Sequence, residues 1–269
     1  MSTGLKRWMI VITILLLLFP SSGSMQAERS SPGAPGAEDT APTSTEASTK
    51  PLNLAELQRK YSETFVFRGP RVKQVALTFD DVPDPRFTPQ VLKILKREGV
   101  KATFFVVGSR AKKHPDLVRK IHKDGHIIGN HSYTHQQFKK HTLAEFQSEI
   151  LRTEKVIQNI VGYRPRLIRP PYGDINEAQV RWAKRHSYRV VNWNVDSLDW
   201  KGLDKEKVKQ NVLETVGPGS IVLQHAGGGN GTDLSGTIEA LPEIIRELKA
   251  KGYQFVNVAT MLQTEKHRL

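Results

Sequence analysis

The sequence has no cysteine and no apolar run of the length that a typical membrane-spanning helix needs. The absence of cysteine excludes a disulfide framework. The apolar run near the amino end, Trp8 to Phe19, has about twelve residues, whereas a membrane span needs roughly twenty. Lys6 and Arg7 precede this run and small residues follow it, which is the pattern of a secretory signal peptide. We expect residues 1–27 to be this signal peptide, with an uncleaved N-terminal anchor as the alternative.

The next stretch has few residues that a folded core could bury. From Ser21 to about Lys50 the chain is rich in Ser, Thr, Pro, Ala and Gly, so we expect a flexible linker and lead-in over residues 28–65. Residues 66–269 are enough for one domain of ordinary size. Export without disulfides favours a bacterial exterior, so we expect a protein that is secreted or held at the wall, with membrane contact only through an uncleaved N-terminal segment.

The charge of the chain is unevenly placed. The sequence holds 40 Lys and Arg against 27 Asp and Glu, a net charge of +13. Residues 1–50 contain four basic and four acidic side chains, so the whole excess lies in residues 51–269. A basic domain attracts nucleic acid, anionic lipid or an anionic wall polymer, and the export signal argues against nucleic acid. We therefore favour an anionic cell wall as partner, with a solvated basic surface that has no specific partner as the alternative.

From residue 74 onward, short β-branched or aromatic runs alternate with amphipathic stretches. Strands are predicted at 74–79, 100–107, 126–129, 166–169, 188–193, 220–224 and 253–258. Helices are predicted at 89–98, 115–123, 142–161, 176–185, 205–215 and 237–251. Strand followed by helix about seven times predicts an α/β fold with a parallel sheet and right-handed crossovers.

Both an incomplete (β/α) barrel and an open doubly wound sheet have this order of elements. Polar side chains end or follow the predicted strands: Asp80, Asp81, His131, Arg169, Asp196 and His225. Polar groups at the ends of many different strands converge in the mouth of a barrel, whereas an open sheet concentrates its ligand at one switch point. We therefore predict an incomplete (β/α) barrel of about seven parallel strands.

His131 and His135 are the most informative pair in this set. Two imidazoles four residues apart can converge on one cation, and a carboxylate from Asp80 or Asp81 would complete the ligand set. The other carboxylate would then be free for proton transfer, which suggests a metal-dependent hydrolase. Each pair also has a structural interpretation, because two aspartates ahead of Pro83 can form a cap and turn, and a His pair occurs by chance.

The five motifs that carry these residues resemble, in their order, the polysaccharide deacetylase family. They are Thr-Phe-Asp-Asp, His-Ser-Tyr-Thr-His, Arg-Pro-Pro-Tyr, Asp-Ser-Leu-Asp-Trp and Leu-Gln-His, spread over residues 75–258. Each has a plain structural interpretation alone, such as a stiff loop or a capped turn. The family removes N- or O-acetyl groups from chitin, peptidoglycan or xylan on a distorted (β/α) barrel. The resemblance therefore implies that residues 66–269 are a deacetylase domain.

The resemblance also implies a metal centre and a base. Asp81, His131 and His135 match the family's metal ligands, for zinc in the first place, with cobalt, nickel or manganese also compatible. Asp80 matches the general base, and Arg169 matches its ionic partner.

The remaining roles concern the leaving group and the substrate. His225 matches the general acid, and we expect Asp196 to orient it. The backbone N–H of Tyr172 matches a donor to the oxyanion. Trp200 and Leu223 match the lining of the pocket for the acetyl methyl group.

One residue departs from the family's pattern. The family has Gly-Pro after the paired aspartates, whereas this chain has Val82-Pro83. A β-branched residue resists positive φ, so we expect the turn beside the metal ligand to adopt another backbone shape.

The expected reaction is metal-dependent removal of N-acetyl groups, and the expected substrate is peptidoglycan. A chitooligosaccharide deacetylase and an acetylxylan esterase are the alternatives within the same chemistry. A wall-binding protein without activity is the alternative from another class. Nothing in the sequence demands more than a monomer.

Overall fold

The computed structural model describes residues 51–268. The predicted signal peptide and residues 28–50 of the predicted linker lie outside this range. The last part of the predicted linker and lead-in is folded, because Leu54–Lys60 form a helix whose Leu57 is fully buried. The Asn53 side chain caps this helix by accepting a hydrogen bond from the Glu56 N–H, and the Glu56 carboxylate accepts one from the Asn53 N–H. The folded unit therefore begins before residue 66.

Nine strands and nine α-helices lie within residues 51–268. The strands are Phe65–Val66 (β1), Gln74–Val82 (β2), Thr103–Val106 (β3), Ile127–Asn130 (β4), Leu167–Ile168 (β5), Arg189–Val191 (β6), Val195–Asp196 (β7), Ser220–His225 (β8) and Gln254–Phe255 (β9). The helices are Leu54–Lys60 (α1), Thr88–Arg97 (α2), Gly108–Lys113 (α3), Pro115–Lys123 (α4), Leu143–Val161 (α5), Glu177–Arg185 (α6), Lys205–Thr215 (α7), Ser235–Ala250 (α8) and Val258–Met261 (α9). None of these helices has the length and apolar character of a membrane span.

The strands form one parallel sheet in the order β1-β6-β5-β4-β3-β2-β8-β7, and β9 pairs with β2 outside this path. The sheet curls into a partial barrel with helices around it, so the predicted distorted, incomplete (β/α) barrel is confirmed. The seven predicted strands correspond to β2–β6, β8 and β9. The two strands that were not predicted, β1 and β7, have two residues each, which is too short for any periodic pattern.

Strand β2 is the centre of the sheet. It pairs with β3, β8 and β9, and six successive residues from Val75 to Asp80 are buried. Continuous burial is typical of a parallel strand that is covered on both faces. The register places Asp80 beside His225, so the last residues of β2 and β8 share one edge.

Helix α5 shows how local sequence sets an element boundary. Thr142 accepts a hydrogen bond from the Glu145 N–H, and the Glu145 carboxylate accepts from the Thr142 N–H. This capping box starts the helix one residue later than predicted. Gly162, at φ 83°, ends it in the left-handed region. The buried side of α5 covers the sheet and also carries Glu149, which reaches the candidate site.

Candidate active site

A cleft of about 1160 Å³ opens at the carboxyl ends of the strands. Nine of the ten predicted site residues line it: Asp80, Asp81, His131, His135, Tyr172, Asp196, Trp200, Leu223 and His225. The tenth, Arg169, is fully buried and pairs with Asp80. The barrel therefore brings together side chains that lie up to 145 residues apart in the sequence.

Asp81, His131 and His135 form a cluster in which one ligand atom from each lies within 4.8 Å of the others. Asp81 Oδ1 is 3.0 Å from His135 Nε2 and 3.7 Å from His131 Nε2. This oxygen is buried and has no hydrogen-bond partner within the described residues. Two imidazoles and one carboxylate are a donor set for a divalent ion. The residues present therefore fit a metal.

The surroundings of His131 set the tautomer and the protonation state of its ring. Nδ1 lies 2.8 Å from the Arg169 carbonyl oxygen, which only accepts, so Nδ1 carries the proton and Nε2 keeps its lone pair towards the cluster. Burial lowers the pKa of His131 to about 4, although the carboxylates of Asp80 and Asp81 oppose this shift. The ring is consequently neutral at pH 7, as a metal ligand must be.

The loop that carries both histidines is held by its own neighbours. Ser132 and His135 have φ values of 64° and 62°. Asn130 accepts a hydrogen bond from the Ser132 N–H at 3.0 Å, and the Ser132 hydroxyl accepts one from the His135 N–H at 2.9 Å. Glu149 Oε2 accepts from the N–H groups of Tyr133 and Thr134 and from the Thr134 hydroxyl. Together these bonds hold a backbone shape that non-glycine residues seldom adopt.

Asp80 has a different partner from Asp81. Its Oδ1 lies 2.8 Å from the guanidinium of Arg169, while Oδ2 faces His131 Nε2 at 3.6 Å. The same Arg169 nitrogen donates to the Thr78 hydroxyl at 2.7 Å, and the guanidinium lies 4.2 Å above the Phe105 ring. Arg169 therefore fixes one oxygen of Asp80 and leaves the other directed to the cleft.

The structure corrects the predicted partner of His225. Asp199 Oδ1, not Asp196, lies 2.7 Å from His225 Nδ1, and Asp199 Oδ2 accepts from the His225 N–H and the Thr237 hydroxyl. Burial disfavours the charged ring, but the charge and hydrogen bond of Asp199, with help from Asp80 and Asp81, raise the pKa of His225 to about 9. The ring therefore holds a proton at neutral pH.

Asp196 lies at the end of β7 and lines the cleft, and within residues 51–268 the hydrogen-bond and ion-pair partner of the His225 ring is Asp199 instead. Its Oδ1 accepts from the Leu198 N–H at 2.8 Å, which closes a turn. Leu198 has φ 55°, and this left-handed residue is followed by Asp199, whose carboxylate reaches His225 at the end of β8. Burial raises the pKa of Asp196. The two aspartates of the Asp-Ser-Leu-Asp motif therefore have separate positions, which the sequence alone did not distinguish.

Comparisons with known proteins decide the family. The polysaccharide deacetylase family model matches residues 68–191. A peptidoglycan N-acetylglucosamine deacetylase of Bacillus cereus is 45% identical over 205 residues, which cover 76% of this chain and 74% of that protein. The chain belongs to the polysaccharide deacetylase family. The predicted class of enzyme, a hydrolase that acts on N-acetyl groups, is confirmed for this deacetylase.

Solved structures agree with this assignment. A crystal structure of a peptidoglycan N-acetylglucosamine deacetylase in complex with a hydroxamate compound has a TM-score of 0.76 and 43% identity, over 78% of this deacetylase and 98% of that chain. A pseudoenzyme of the same carbohydrate esterase family from Bacillus anthracis has a TM-score of 0.69 and 31% identity, over 77% and 71% of the two chains. The scaffold is thus shared by active and inactive relatives.

Three further predicted site residues, Tyr172, Trp200 and Leu223, lie in the lining of the deacetylase cleft. Tyr172 has φ 60° and ψ 9°, and its 67% exposed side chain lies with its ring 5.1 Å from the His135 ring. Trp200 is half-exposed and Leu223 is buried, and both belong to the cleft lining. The lining therefore includes exposed aromatic surface and a buried aliphatic side chain. Trp193, which was not predicted, also lines the cleft.

Val82, which stands where the family has glycine, belongs to the end of strand β2. Val82 is the last residue of β2, fully buried, and the Val82–Pro83 peptide is cis. The positive φ of 64° falls on Asp81 instead. Aspartate tolerates this region better than a β-branched residue. In this turn Asp81 Oδ1 lies 3.0 Å from His135 Nε2 and 3.7 Å from His131 Nε2, so Asp81 is directed to both histidines.

Proposed function

We propose that this deacetylase is a divalent-metal-dependent enzyme that removes N-acetyl groups from peptidoglycan and releases acetate. The observation that carries the proposal is the arrangement of three groups in one cleft: the Asp81, His131 and His135 cluster, the Asp80–Arg169 pair and the Asp199–His225 pair. The groups supply a cation site, a proton acceptor and a proton donor, which are what hydrolysis of an acetamide requires.

Asp81, His131 and His135 would hold the metal, with zinc first and cobalt, nickel or manganese as alternatives. Burial disfavours the charged form of Asp81, but the close approach of His135 and the nearby His131 and His225 lower its pKa. The carboxylate is therefore available at neutral pH. A divalent ion held here supplies Lewis-acid polarisation of the acetyl carbonyl and makes water a better nucleophile.

Asp80 would act as the general base. Its Oδ2 faces the cluster side of the cleft, and its Oδ1 is held by Arg169. It would accept the proton of the water molecule that attacks the acetyl carbon. The fixed orientation matters because a base must lie within hydrogen-bond reach of the proton it takes.

His225 would act as the general acid on the other side of the reacting carbonyl. Its Nδ1–H donates to Asp199, so Nε2 is the nitrogen that can give a proton to the departing sugar amine. A pKa of about 9 keeps the ring protonated at neutral pH, ready for this transfer.

The Tyr172 N–H would donate to the oxyanion of the tetrahedral intermediate. One such donor typically contributes about 3–4 kcal/mol to the transition state. Leu223 and Trp200 would enclose the acetyl methyl group, because both present apolar side chains in the cleft lining. A bulkier acyl group would then be a poorer substrate.

Peptidoglycan is the favoured polymer for two reasons. Several relatives are named peptidoglycan deacetylases, for N-acetylglucosamine in Bacillus cereus and for N-acetylmuramic acid in the PdaC protein of Bacillus subtilis, which is 38% identical. The positive charge of residues 51–269 also suits an anionic wall. An extracytoplasmic place, secreted or at the wall, follows from that substrate, and a monomer suffices for the site.

A second candidate is a wall-binding protein without activity, because a pseudoenzyme with 31% identity shares the scaffold. Acetate release measured side by side on peptidoglycan, chitooligosaccharides and acetylxylan, with and without chelator, separates these functions. We expect chelator-sensitive release that is fastest from peptidoglycan. Release from none of the three glycans by zinc-supplied protein would leave only the binding function.

A further inference from the structure

One wall of the cleft has a chemistry that the proposed mechanism does not use. We propose that Arg110, Lys113 and His114, which line this wall, form a subsite for a carboxylate carried by the glycan beside the sugar that is deacetylated. In peptidoglycan such a carboxylate belongs to the muramic acid unit, on its lactyl group or on the attached peptide. The inference rests on the proposed function and specifies its substrate further.

Backbone hydrogen bonds connect this wall to the loop that carries His131 and His135. Helix α3 begins with Gly108 and Ser109, whose N–H groups donate to the carbonyls of Ser132 and Tyr133 at 2.9 and 3.0 Å. Both carbonyls belong to the short stretch between the two predicted histidine ligands. Arg110 follows at once, so its position relative to the reaction centre is set by backbone bonds.

The positive charge on this wall is poorly compensated. Within residues 51–268, the acidic group nearest Arg110 is Asp84, whose Oδ2 lies 3.7 Å from the guanidinium. Arg86 already engages both oxygens of Asp84, at 3.1 and 2.7 Å. Lys113 and His114 have no acidic side chain within 4.0 Å in that part of the chain. The donors of the wall are therefore available to a ligand.

The other charges in the cleft do not offset this excess. Asp80 is paired with Arg169, Asp81 belongs to the cluster with the two histidines, and Asp84 is paired with Arg86. Asp196, the remaining carboxylate of the cleft lining, lies on β7, which β2 and β8 separate from β3, the strand before α3. A guanidinium and an ammonium on adjacent turns of one helix suit a carboxylate, since charge-assisted hydrogen bonds are stronger than neutral ones. The wall therefore favours a polymer with regularly spaced carboxylates over neutral chitin.

Binding of defined tetrasaccharides tests the subsite. The probe is two N-acetylglucosamine–N-acetylmuramic acid units with free lactyl carboxylates, and its matched partner has each carboxylate converted to the methylamide. The protein is the zinc-supplied full chain with Asp80→Asn, so that the acetyl groups survive the titration. We expect the acid to bind at least about tenfold more tightly than the amide, which is the low end of what one charge-assisted hydrogen bond contributes.

The variant Arg110→Gln/Lys113→Gln in the same background should bring the two affinities within about twofold. The matched control, Lys93→Gln/Lys96→Gln, removes the same charge from exposed positions on α2 that do not line the cleft, and it should keep the preference. A preference for the acid that survives Arg110→Gln/Lys113→Gln would overturn the proposal. Equal affinity of acid and amide, together with a muropeptide affinity that the same double substitution does not lower, would also overturn it.

A muropeptide probe, in which the lactyl group is amide-linked to peptide, distinguishes the two sources of carboxylate. Tight binding that Arg110→Gln/Lys113→Gln weakens assigns the subsite to the peptide carboxylates, and weak binding assigns it to the lactyl group. Acetate release by the chain with Asp80 intact is measured separately. No release from any glycan would contradict the proposed function while the binding preference still decides the subsite.

Discussion

Asp199 holds His225 through two contacts, with Oδ1 2.7 Å from the ring Nδ1 and Oδ2 2.8 Å from the backbone nitrogen of the same residue. The carboxylate thus fixes the ring in one tautomer and one orientation. It also compensates the charge of the protonated ring in a buried place, which is why the pKa of His225 rises to about 9 although burial alone would lower it.

Asp199→Asn should move the alkaline limb of the deacetylation profile to lower pH. His225 must be protonated to act as an acid, so the rate of the unsubstituted enzyme falls as pH rises through about 9. Without the Asp199 charge, burial lowers the pKa of His225, so the fall begins at a lower pH. The measurement is kcat/KM against pH. Asp196→Asn is the matched control and should shift the limb less, and an equal shift in both variants would contradict the assignment.

Asp80→Asn should keep the metal and lose most of its turnover. The amide cannot accept a proton, and general base catalysis typically contributes about 10²–10⁴-fold. Zinc content and kcat are measured on the same preparation. Turnover equal to that of the unsubstituted enzyme would show that Asp80 is not the base.

His131→Ala should lose zinc and activity together, because it removes the buried member of the Asp81, His131 and His135 cluster. His122→Ala is the control, since His122 is only partly buried on α4 and lies outside the cleft lining. The control should retain both zinc and turnover. If His131→Ala binds zinc with unchanged affinity, the ligand set proposed here is wrong.

Glu149→Ala should weaken zinc binding although Glu149 is not a ligand. Its carboxylate accepts three hydrogen bonds from Tyr133 and Thr134, which lie between the two histidines. Loss of a group that positions a metal ligand typically costs about 10–100-fold in metal affinity. The readout is the zinc dissociation constant from chelator competition. Glu145→Ala, at the exposed start of the same helix, is the control and should alter stability without altering zinc affinity.

Much of this site could be predicted because its residues follow apolar strands. Asp80 ends the buried run of β2 and Asp81 follows it, while His225 is the last residue of β8, so a parallel sheet brings them to one edge. The long helix α5 could be predicted for a similar reason, since its apolar period and capping box are both local.

The rest depends on contacts between distant segments, which one sequence does not contain. The choice of Asp199 over Asp196 follows from the left-handed Leu198 and from Thr237 on α8, more than thirty residues away. The apolar periodicity of α5 gives Glu149 no special place, so the sequence alone does not distinguish it from the other polar residues of that helix. From the sequence, the wall formed by Arg110, Lys113 and His114 contributes only to the net charge. Its position beside the histidine loop depends on backbone hydrogen bonds of α3.

The most direct test of the central claim is acetate release from purified peptidoglycan as zinc is titrated into chelator-treated protein. The account predicts no release without metal and a rate that rises to a plateau near one zinc per chain, while His131→Ala stays at the baseline. Full activity in the chelator-treated protein, or a zinc-dependent rate that His131→Ala retains, would contradict it.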